Sequence, residues 1–186
     1  MKGLLAAGTA IGTTITMWGL TERADAGIGT CGSGYFKWSS STLRVDYMLP
    51  NSTYVNAFRD SNTGWDGFTD ISIVYAPGQG DIFYTAYNAG ASGPGGYTEM
   101  TTSGCQGVVV DGYFNRYYTD DYKQAKLQVI TAHEFGHALF FADIGGSAEC
   151  SPDTIMLNNV NRLWNGTCQW NQLRTADALE VNHVYP

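Results

Sequence analysis

The chain has 186 residues, enough for one domain with a sizeable core and short for two ordinary domains. Ten Lys and Arg stand against 17 Asp and Glu, and the formal net charge is −7 at pH 7. This balance does not provide the basic face that binds phosphate, which argues against a nucleic-acid partner. The 23 glycines, 12 tyrosines and low charged fraction of 15% are typical of a loop-rich extracellular protein.

The first 26 residues have the pattern of a secretory signal peptide. Lys2 precedes a weakly apolar run from Leu4 to Leu20, and Ala24-Asp25-Ala26 is a small-x-small cleavage site. We expect the mature chain to begin at Gly27 and to be secreted, monomeric and free of the membrane. The alternative is an uncleaved anchor or a disordered tail, although the run is rich in Gly and Thr and makes a poor membrane span.

A Gly-rich and Ser-rich arm, residues 27–41, precedes a single domain expected at residues 42–186. Five segments of this domain are rich in β-branched and aromatic residues and predict strands: Leu43–Leu49, Ile71–Ala76, Asp81–Tyr87, Tyr97–Thr101 and Gly107–Phe114. The second and third are joined by a turn at Pro77-Gly78-Gln79-Gly80.

Three segments predict helices. The first, Thr53–Trp65, is weak, and Asn62-Thr63-Gly64 should fray its end. The second runs from about Asp121 to Phe141, with Asp120 and Asp121 at its start, where a cap and first-turn acids belong. The third, Asn171–Tyr185, places four apolar residues at helical spacing: Leu173, Ala176, Leu179 and Val184.

The second predicted helix contains the sequence H-E-F-G-H. His133 and His137 are four residues apart, so on a helix they lie on one face about 6 Å from each other and could bind one metal ion. Glu134 is offset by about 100°, close enough to contact a metal-bound water without being a ligand. A chance occurrence is the alternative, but two of the three histidines in the chain have this spacing. The motif predicts a zinc site with a general base.

A third ligand could stand at Asp143, ten residues after His133. On a straight helix its carboxylate would lie about 9 Å beyond His137 along the axis and about 80° from the direction of His133. The helix must therefore end before Asp143 if this residue binds the metal. Three competing residues remain open as ligands: Glu149, Glu180 and His183. Calcium is a further hypothesis, because Asp111, Asp120 and Asp121 could gather in loops.

The spacing of His133, His137 and Asp143, followed by Met156, resembles the metzincin metallopeptidases. The aspartate in the third position is similar to the snapalysin branch of small secreted neutral proteases. The order of strands and helices around the motif and the ending Leu173–Pro186 are also similar to this family. The resemblance implies an α+β fold with a twisted, mostly parallel sheet, an active-site helix and a C-terminal helix below the cleft.

The resemblance also implies the chemistry. His133, His137 and Asp143 become the zinc ligands, Glu134 the general base and Met156 a packing residue in the turn beneath the zinc. The implied activity is a secreted zinc endopeptidase, in which Glu134 assists attack of a zinc-bound water on a peptide or protein substrate. The substrate would pair with the strand near Tyr97–Thr101. The alternative is a non-catalytic secreted binding module with a structural zinc.

Two departures from the family pattern bear on this interpretation. The family usually has glycine where this chain has Phe140, the point at which the chain must turn back. Either Phe140 adopts the left-handed conformation, or the helix continues to Gly145-Gly146 and leaves Asp143 unbound. The second departure is that Leu157 and Asn158, rather than a tyrosine, follow the methionine, so no tyrosine oxyanion helper is named.

The four cysteines form an even set without Cys-x-x-Cys spacing, which predicts disulfides in an oxidising compartment. The resemblance implies a Cys150–Cys168 disulfide beside the methionine turn, and Cys31–Cys105 then remains as the second pair. In the alternative arrangement Cys31 belongs to an inhibitory pro-segment and caps the zinc.

Overall fold

The protein is described here by a computed structural model, which covers residues 27–145, 154–158, 163–164 and 171–186 and the backbone of Thr13–Thr16. Of the predicted signal peptide, only these four N-terminal residues are described. Glu149 and the predicted Cys150–Cys168 disulfide lie outside the described residues.

In the described part of the chain, eight strands form one large sheet and one small ribbon. In chain order they are β1 Thr13–Thr16, β2 Thr30–Cys31, β3 Gly34–Tyr35, β4 Thr42–Met48, β5 Ser72–Tyr75, β6 Ile82–Tyr87, β7 Gly96–Ser103 and β8 Gln106–Asn115. The large sheet has the order β1-β7-β8-β6-β4-β5, and β2 pairs with β3. The three pairings among β5, β4, β6 and β8 are parallel, while β1 and β7 are antiparallel additions. The predicted mostly parallel sheet is confirmed.

The turn between β5 and β6 does not make these two strands neighbours, because β4 lies between them. The connection passes close to Asp46 of β4. Gly78 N donates to Asp46 Oδ2 at 2.8 Å, and a Cβ on Gly80 would lie 2.7 Å from Asp46 N. Glycine at position 80 therefore permits the close approach of the two backbones.

Four helices are described in full: α1 Ser52–Phe68, α2 Arg116–Thr119, α3 Gln124–Ala138 and α4 Thr175–Val184. The side chain of Asn51 caps α1 by accepting hydrogen bonds from two backbone amides of its first turn. The expected fraying at Asn62-Thr63-Gly64 is wrong, because α1 continues to Phe68 and buries Trp65 completely. Burial of this indole outweighs the low helix propensity of the three residues before it.

The predicted starts and faces of the later helices need two corrections. α3 begins at Gln124, and Asp120 instead accepts a hydrogen bond from Tyr54 at 2.9 Å and pairs with Arg116 at 3.1 Å. The apolar face predicted for α4 is wrong at Ala176 and Leu179, which are exposed. It is confirmed at Val184, which is buried, and at Leu173, which packs against the core just before the helix begins. Asp177 and Val181 of this helix also face the core. The buried carboxylate of Asp177 accepts a hydrogen bond from Ile155 N.

Both long central helices pack on the same face of the sheet. The ring of Tyr84 on β6 lies 4.9 Å from Phe58 of α1 and 6.5 Å from Phe135 of α3. Trp65 of α1 contacts Phe135 as well, at 6.2 Å. This aromatic core fixes α3 across the sheet, with the H-E-F-G-H motif beside β7.

Residues 27–41, the predicted N-terminal arm, contact both the sheet and the turn after α3. A disulfide joins Cys31 to Cys105 in the turn between β7 and β8, with the two Cα atoms 5.6 Å apart. This pairing was the prediction, and it excludes the alternative in which Cys31 caps the metal. Within the described part of the chain, no helix is both long enough and apolar enough to cross a membrane.

Candidate metal centre

The chain turns sharply after α3. Phe140 has φ 71°, and it is the one non-glycine residue with positive φ in the described part of the chain. Phe140 N donates to His137 O at 2.8 Å and Phe141 N donates to Gly136 O at 3.1 Å, which satisfies carbonyls of the last turn. The helix therefore ends before Asp143, and the alternative in which it continues to Gly145-Gly146 is wrong.

The turn brings the three predicted ligands together. Asp143 Oδ1 lies 3.2 Å from His133 Nε2 and 3.4 Å from His137 Nε2. One ligand atom from each of the three residues lies within 4.8 Å of the others. No other group of three or more His, Cys, Asp or Glu with this geometry occurs among the described residues.

Backbone carbonyls orient both histidine rings. The distance from Nδ1 to Ile155 O is 2.9 Å for His133, and the distance from Nδ1 to Phe141 O is 2.9 Å for His137. A carbonyl can only accept, so Nδ1 carries the proton in each ring. In the neutral form each Nε2 then presents its lone pair towards Asp143, which is the arrangement of metal-binding histidines.

The electrostatics of the cluster fit a cation. With both Nε2 atoms unprotonated, the buried Asp143 Oδ1 has no hydrogen-bond donor among the described residues, although buried polar atoms are normally paired. Burial by itself would lower the pKa of His133, but the carboxylates of Asp143 and Glu134 raise it to about 9. Burial would raise the pKa of Asp143, but the two imidazoles lower it well below its ordinary value. Two nitrogens and one carboxylate oxygen match the three-ligand set of a catalytic zinc site.

Glu134 lies between α3 and β7 and is only 3% exposed. Thr98 Oγ1 donates to Glu134 Oε2 at 2.8 Å. Gly96 leaves space for the same carboxylate, because a Cβ there would lie 2.7 Å from Glu134 Oε1. Burial raises the pKa of Glu134, and the two neighbouring histidines oppose that rise. The glutamate is thus held beside the cluster without belonging to it.

The sequence did not identify Thr98 as a site residue. Alternation along β7 buries Thr98 and Met100 on one face, so a signal for an inward position was present. No local signal indicated that Glu134 would contact this face, because Glu134 is 36 residues away along the chain.

Met156 occupies the position expected of a packing residue beneath the site. It is fully buried, and its Sδ lies so near Gly136 that a Cβ there would be 2.3 Å away. Asp177 of α4 accepts a hydrogen bond from Ile155 N at 3.0 Å and another from the hydroxyl of Thr154. The C-terminal helix therefore holds the same segment whose Ile155 carbonyl orients His133.

The described competing ligands lie elsewhere. Glu180 accepts a hydrogen bond from Ile28 N at 3.2 Å, and His183 is exposed beside the ring of Tyr35. Neither is part of the three-residue cluster. The calcium hypothesis has no support: the described acids Asp111, Asp120 and Asp121 form no such group, and Asp120 is paired with Arg116.

No family model matches this chain, and no curated protein matches its sequence. Among similar solved structures is one of myroilysin, which is 16% identical to this chain with a TM-score of 0.40. The aligned region covers 56% of this chain and 50% of the myroilysin chain. A second myroilysin structure is 18% identical with a TM-score of 0.40 and covers 75% and 58% of the two chains. The hatching enzyme HCE-1, a zinc-protease from the medaka fish Oryzias latipes, is 12% identical to this chain with a TM-score of 0.48. The aligned region covers 85% of this chain and 98% of the HCE-1 chain.

This chain therefore spans between half and three fifths of the length of the myroilysin chains. Likenesses of this degree do not assign the chain to a family.

Proposed function

We propose that this protein is a secreted zinc endopeptidase of the metzincin type, with aspartate as the third zinc ligand as in the snapalysin branch. The observation that carries the proposal is the convergence of His133 Nε2, His137 Nε2 and Asp143 Oδ1 next to the buried carboxylate of Glu134. The signal-like residues 1–26 and the Cys31–Cys105 disulfide support secretion, because disulfides persist in oxidising compartments.

His133, His137 and Asp143 would hold the zinc ion. Zinc at such a site supplies a Lewis acid that lowers the pKa of water and polarises a carbonyl. The carbonyls of Ile155 and Phe141 keep the two imidazoles in the tautomer and orientation that binding needs.

Glu134 is the proposed general base and, later, the general acid. It takes the proton from the attacking water and passes it to the amine that leaves when the peptide bond breaks. The hydroxyl of Thr98 engages Oε2, which holds the carboxylate in one orientation while it exchanges this proton.

The proposed substrate is an extended peptide that adds a strand to β7. Thr98 of β7 contacts Glu134, so a peptide along this strand would pass close to the base. Residues Thr13–Thr16 pair with Glu99–Thr102 in this structure. Cleavage after Ala26 would free that edge, and main-chain hydrogen bonds could then bind a peptide independently of its side chains.

The test is a zinc and protease assay on the purified protein. We expect about one zinc per chain, cleavage of casein, loss of cleavage with a chelator and recovery on adding zinc. Glu134→Gln should keep the zinc and lower kcat by about 10²–10⁴-fold, the contribution of a general base. Asp121→Asn, an exposed acid on the surface, is the control and should leave both properties unchanged.

The same assay separates the alternatives. Zinc binding without proteolysis would favour a binding module with a structural zinc. Absence of zinc, or full activity of Glu134→Gln, would overturn the proposed mechanism.

A further inference from the structure

Phe140 is an unfavourable residue for the turn that precedes Asp143. Its φ of 71° lies in the left-handed region, where the Cβ of an L-residue crowds the backbone. Glycine would adopt this conformation without that cost. Because only two residues separate Phe140 from Asp143, the conformation of this turn determines where the carboxylate lies.

The N-terminal arm encloses the ring of Phe140. The ring of Phe36 stacks on it at 5.7 Å, and Trp38 packs on it at 6.3 Å. Gly107 on β8 makes room, because a Cβ there would lie 2.9 Å from Phe140 Cζ. The ring is thereby 2% exposed, so burial of an aromatic side chain opposes the backbone cost of the turn.

The backbone of the arm also binds both sides of the turn. Gly29 N donates to Phe140 O at 2.9 Å, and Ala142 N donates to Gly27 O at 3.3 Å. The indole of Trp38 donates to Ala138 O at 2.9 Å, on the last residue of α3. These bonds lie on either side of Phe141, whose carbonyl orients His137. The arm therefore contacts the segment that positions two of the three candidate ligands.

The arm is tied to the sheet at two places. The Cys31–Cys105 disulfide joins it to the turn after β7. Lys37 N donates to Cys105 O at 3.0 Å, and Gly107 N donates to Lys37 O at 3.0 Å. Phe36 thus lies between these two anchors, and Trp38 directly follows the second.

We propose that the N-terminal arm positions residues of the metal centre. Phe36 and Trp38 are positioning residues that hold Phe140 in the left-handed turn, and the disulfide holds these two residues in place. Through the turn the arm sets the position of Asp143 and the orientation of His137, and so increases the affinity for the metal. This inference rests on the proposed function for the identity of the ion as zinc.

The test compares zinc affinities of full-length variants by chelator competition. Phe36→Ala should weaken zinc binding by about tenfold, the scale of the preference of an L-residue against the left-handed region. Tyr75→Ala is the matched control, since it also removes one stacked ring, 4.7 Å from Tyr47, at the far edge of the sheet. Tyr75→Ala should leave zinc affinity unchanged even if both variants unfold at a lower temperature.

A double-mutant cycle tests the route through Phe140. In a Phe140→Gly background the left-handed conformation carries no steric cost, so the turn does not depend on packing by Phe36. Phe36→Ala should then have little further effect on zinc affinity. An equal loss in both backgrounds would overturn the proposal. If Phe140→Gly fails to fold, the double variant Cys31→Ser with Cys105→Ser takes its place and should weaken zinc binding as Phe36→Ala does.

The outcomes distinguish this inference from the proposed function. Unchanged zinc affinity in Phe36→Ala and in the cysteine variant would overturn the role of the arm and leave the peptidase proposal intact. Tight zinc binding without proteolysis would overturn the peptidase proposal alone, and affinity would still decide the role of the arm. A chain that binds no zinc would overturn both.

Discussion

At the scale of single residues, the metal cluster depends on side chains with very different local requirements. His133 and His137 reach one point because they are one helical turn apart. Asp143 reaches it because Phe140 reverses the chain, with φ 71°. Its Oδ1 then lies 3.2 Å from His133 Nε2. Asp143 is therefore the candidate ligand most sensitive to its surroundings.

We expect Asp143→Ala to weaken zinc binding by at least about 100-fold, more than the loss of an outer-shell partner costs. The reason is that the substitution removes one of three ligand atoms and leaves two imidazoles. Equilibrium dialysis against a chelator measures the effect, with Asp121→Asn as the surface control. Unchanged affinity would contradict the assignment of Asp143 as a zinc ligand.

We expect Thr98→Val to lower kcat by about tenfold with KM and zinc content unchanged. The substitution removes a hydrogen bond to the charged carboxylate of Glu134, the proposed base, and this bond holds the carboxylate in place. Valine has nearly the shape of threonine, so packing on β7 is retained. Thr98→Ser restores a hydroxyl and should recover most of kcat. A change confined to KM, or no rescue by serine, would contradict this role for the Thr98 hydroxyl.

At the scale of elements, the site depends on how α3 packs against its neighbours. Close to Gly136, the helix approaches Met156 so closely that a side chain would meet its sulfur. Gly64 of α1 has the opposite environment, with no atom within 4 Å of where a Cβ would be. The same residue type therefore serves a packing requirement in one helix and only weakens the other.

Two matched substitutions test this contrast through the free energy of unfolding. Gly64→Ala should raise it by about 0.5–1 kcal/mol, because alanine has the higher helix propensity and meets nothing. Gly136→Ala should lower it by about 1–3 kcal/mol, the usual cost of overpacking a core. Urea unfolding measures both values. Equal signs for the two substitutions would contradict the packing described at Gly136.

At the scale of the whole molecule, two N-terminal segments contact elements that position the site. The arm supports the turn at Phe140, while residues Thr13–Thr16 pair with β7 in an antiparallel register. If residues 1–26 are a signal peptide, its removal leaves β7 as an edge strand. The chain would then lose the segment that pairs with β7 and keep the arm that supports the turn at Phe140.

Removal of residues 1–26 should therefore increase amide hydrogen exchange along Glu99–Thr102, because their pairing with Thr13–Thr16 is lost. The amides of β6 are the internal control, since β6 pairs with β4 and β8 in both forms. Mass spectrometry after exchange compares the two chains. Identical exchange in β7 would contradict the pairing with the N-terminal segment.

Much of this protein could be predicted from local sequence. Alternation and β-branched residues predicted the central strands, and the spacing of His133, Glu134 and His137 predicted a helix with a metal-binding face. These features repeat over two to four residues, so neighbours along the chain are sufficient to reveal them. The errors occurred where distant contacts outweigh local preference. Burial of Trp65 extends α1 beyond Gly64, and buried hydrogen bonds hold Asp177 of α4 in the core.

The sequence by itself determined the candidate metal-binding helix, because the H-E-F-G-H spacing places two imidazoles and a carboxylate within about one turn of one helix. Only the tertiary structure decided whether Asp143 lies beside the two histidines. Phe140 adopts its left-handed turn because Phe36, Trp38 and Gly107, all distant along the chain, enclose its ring. A backbone conformation that is unfavourable in isolation persists when surrounding packing offsets its cost, and that packing exists only in the folded chain.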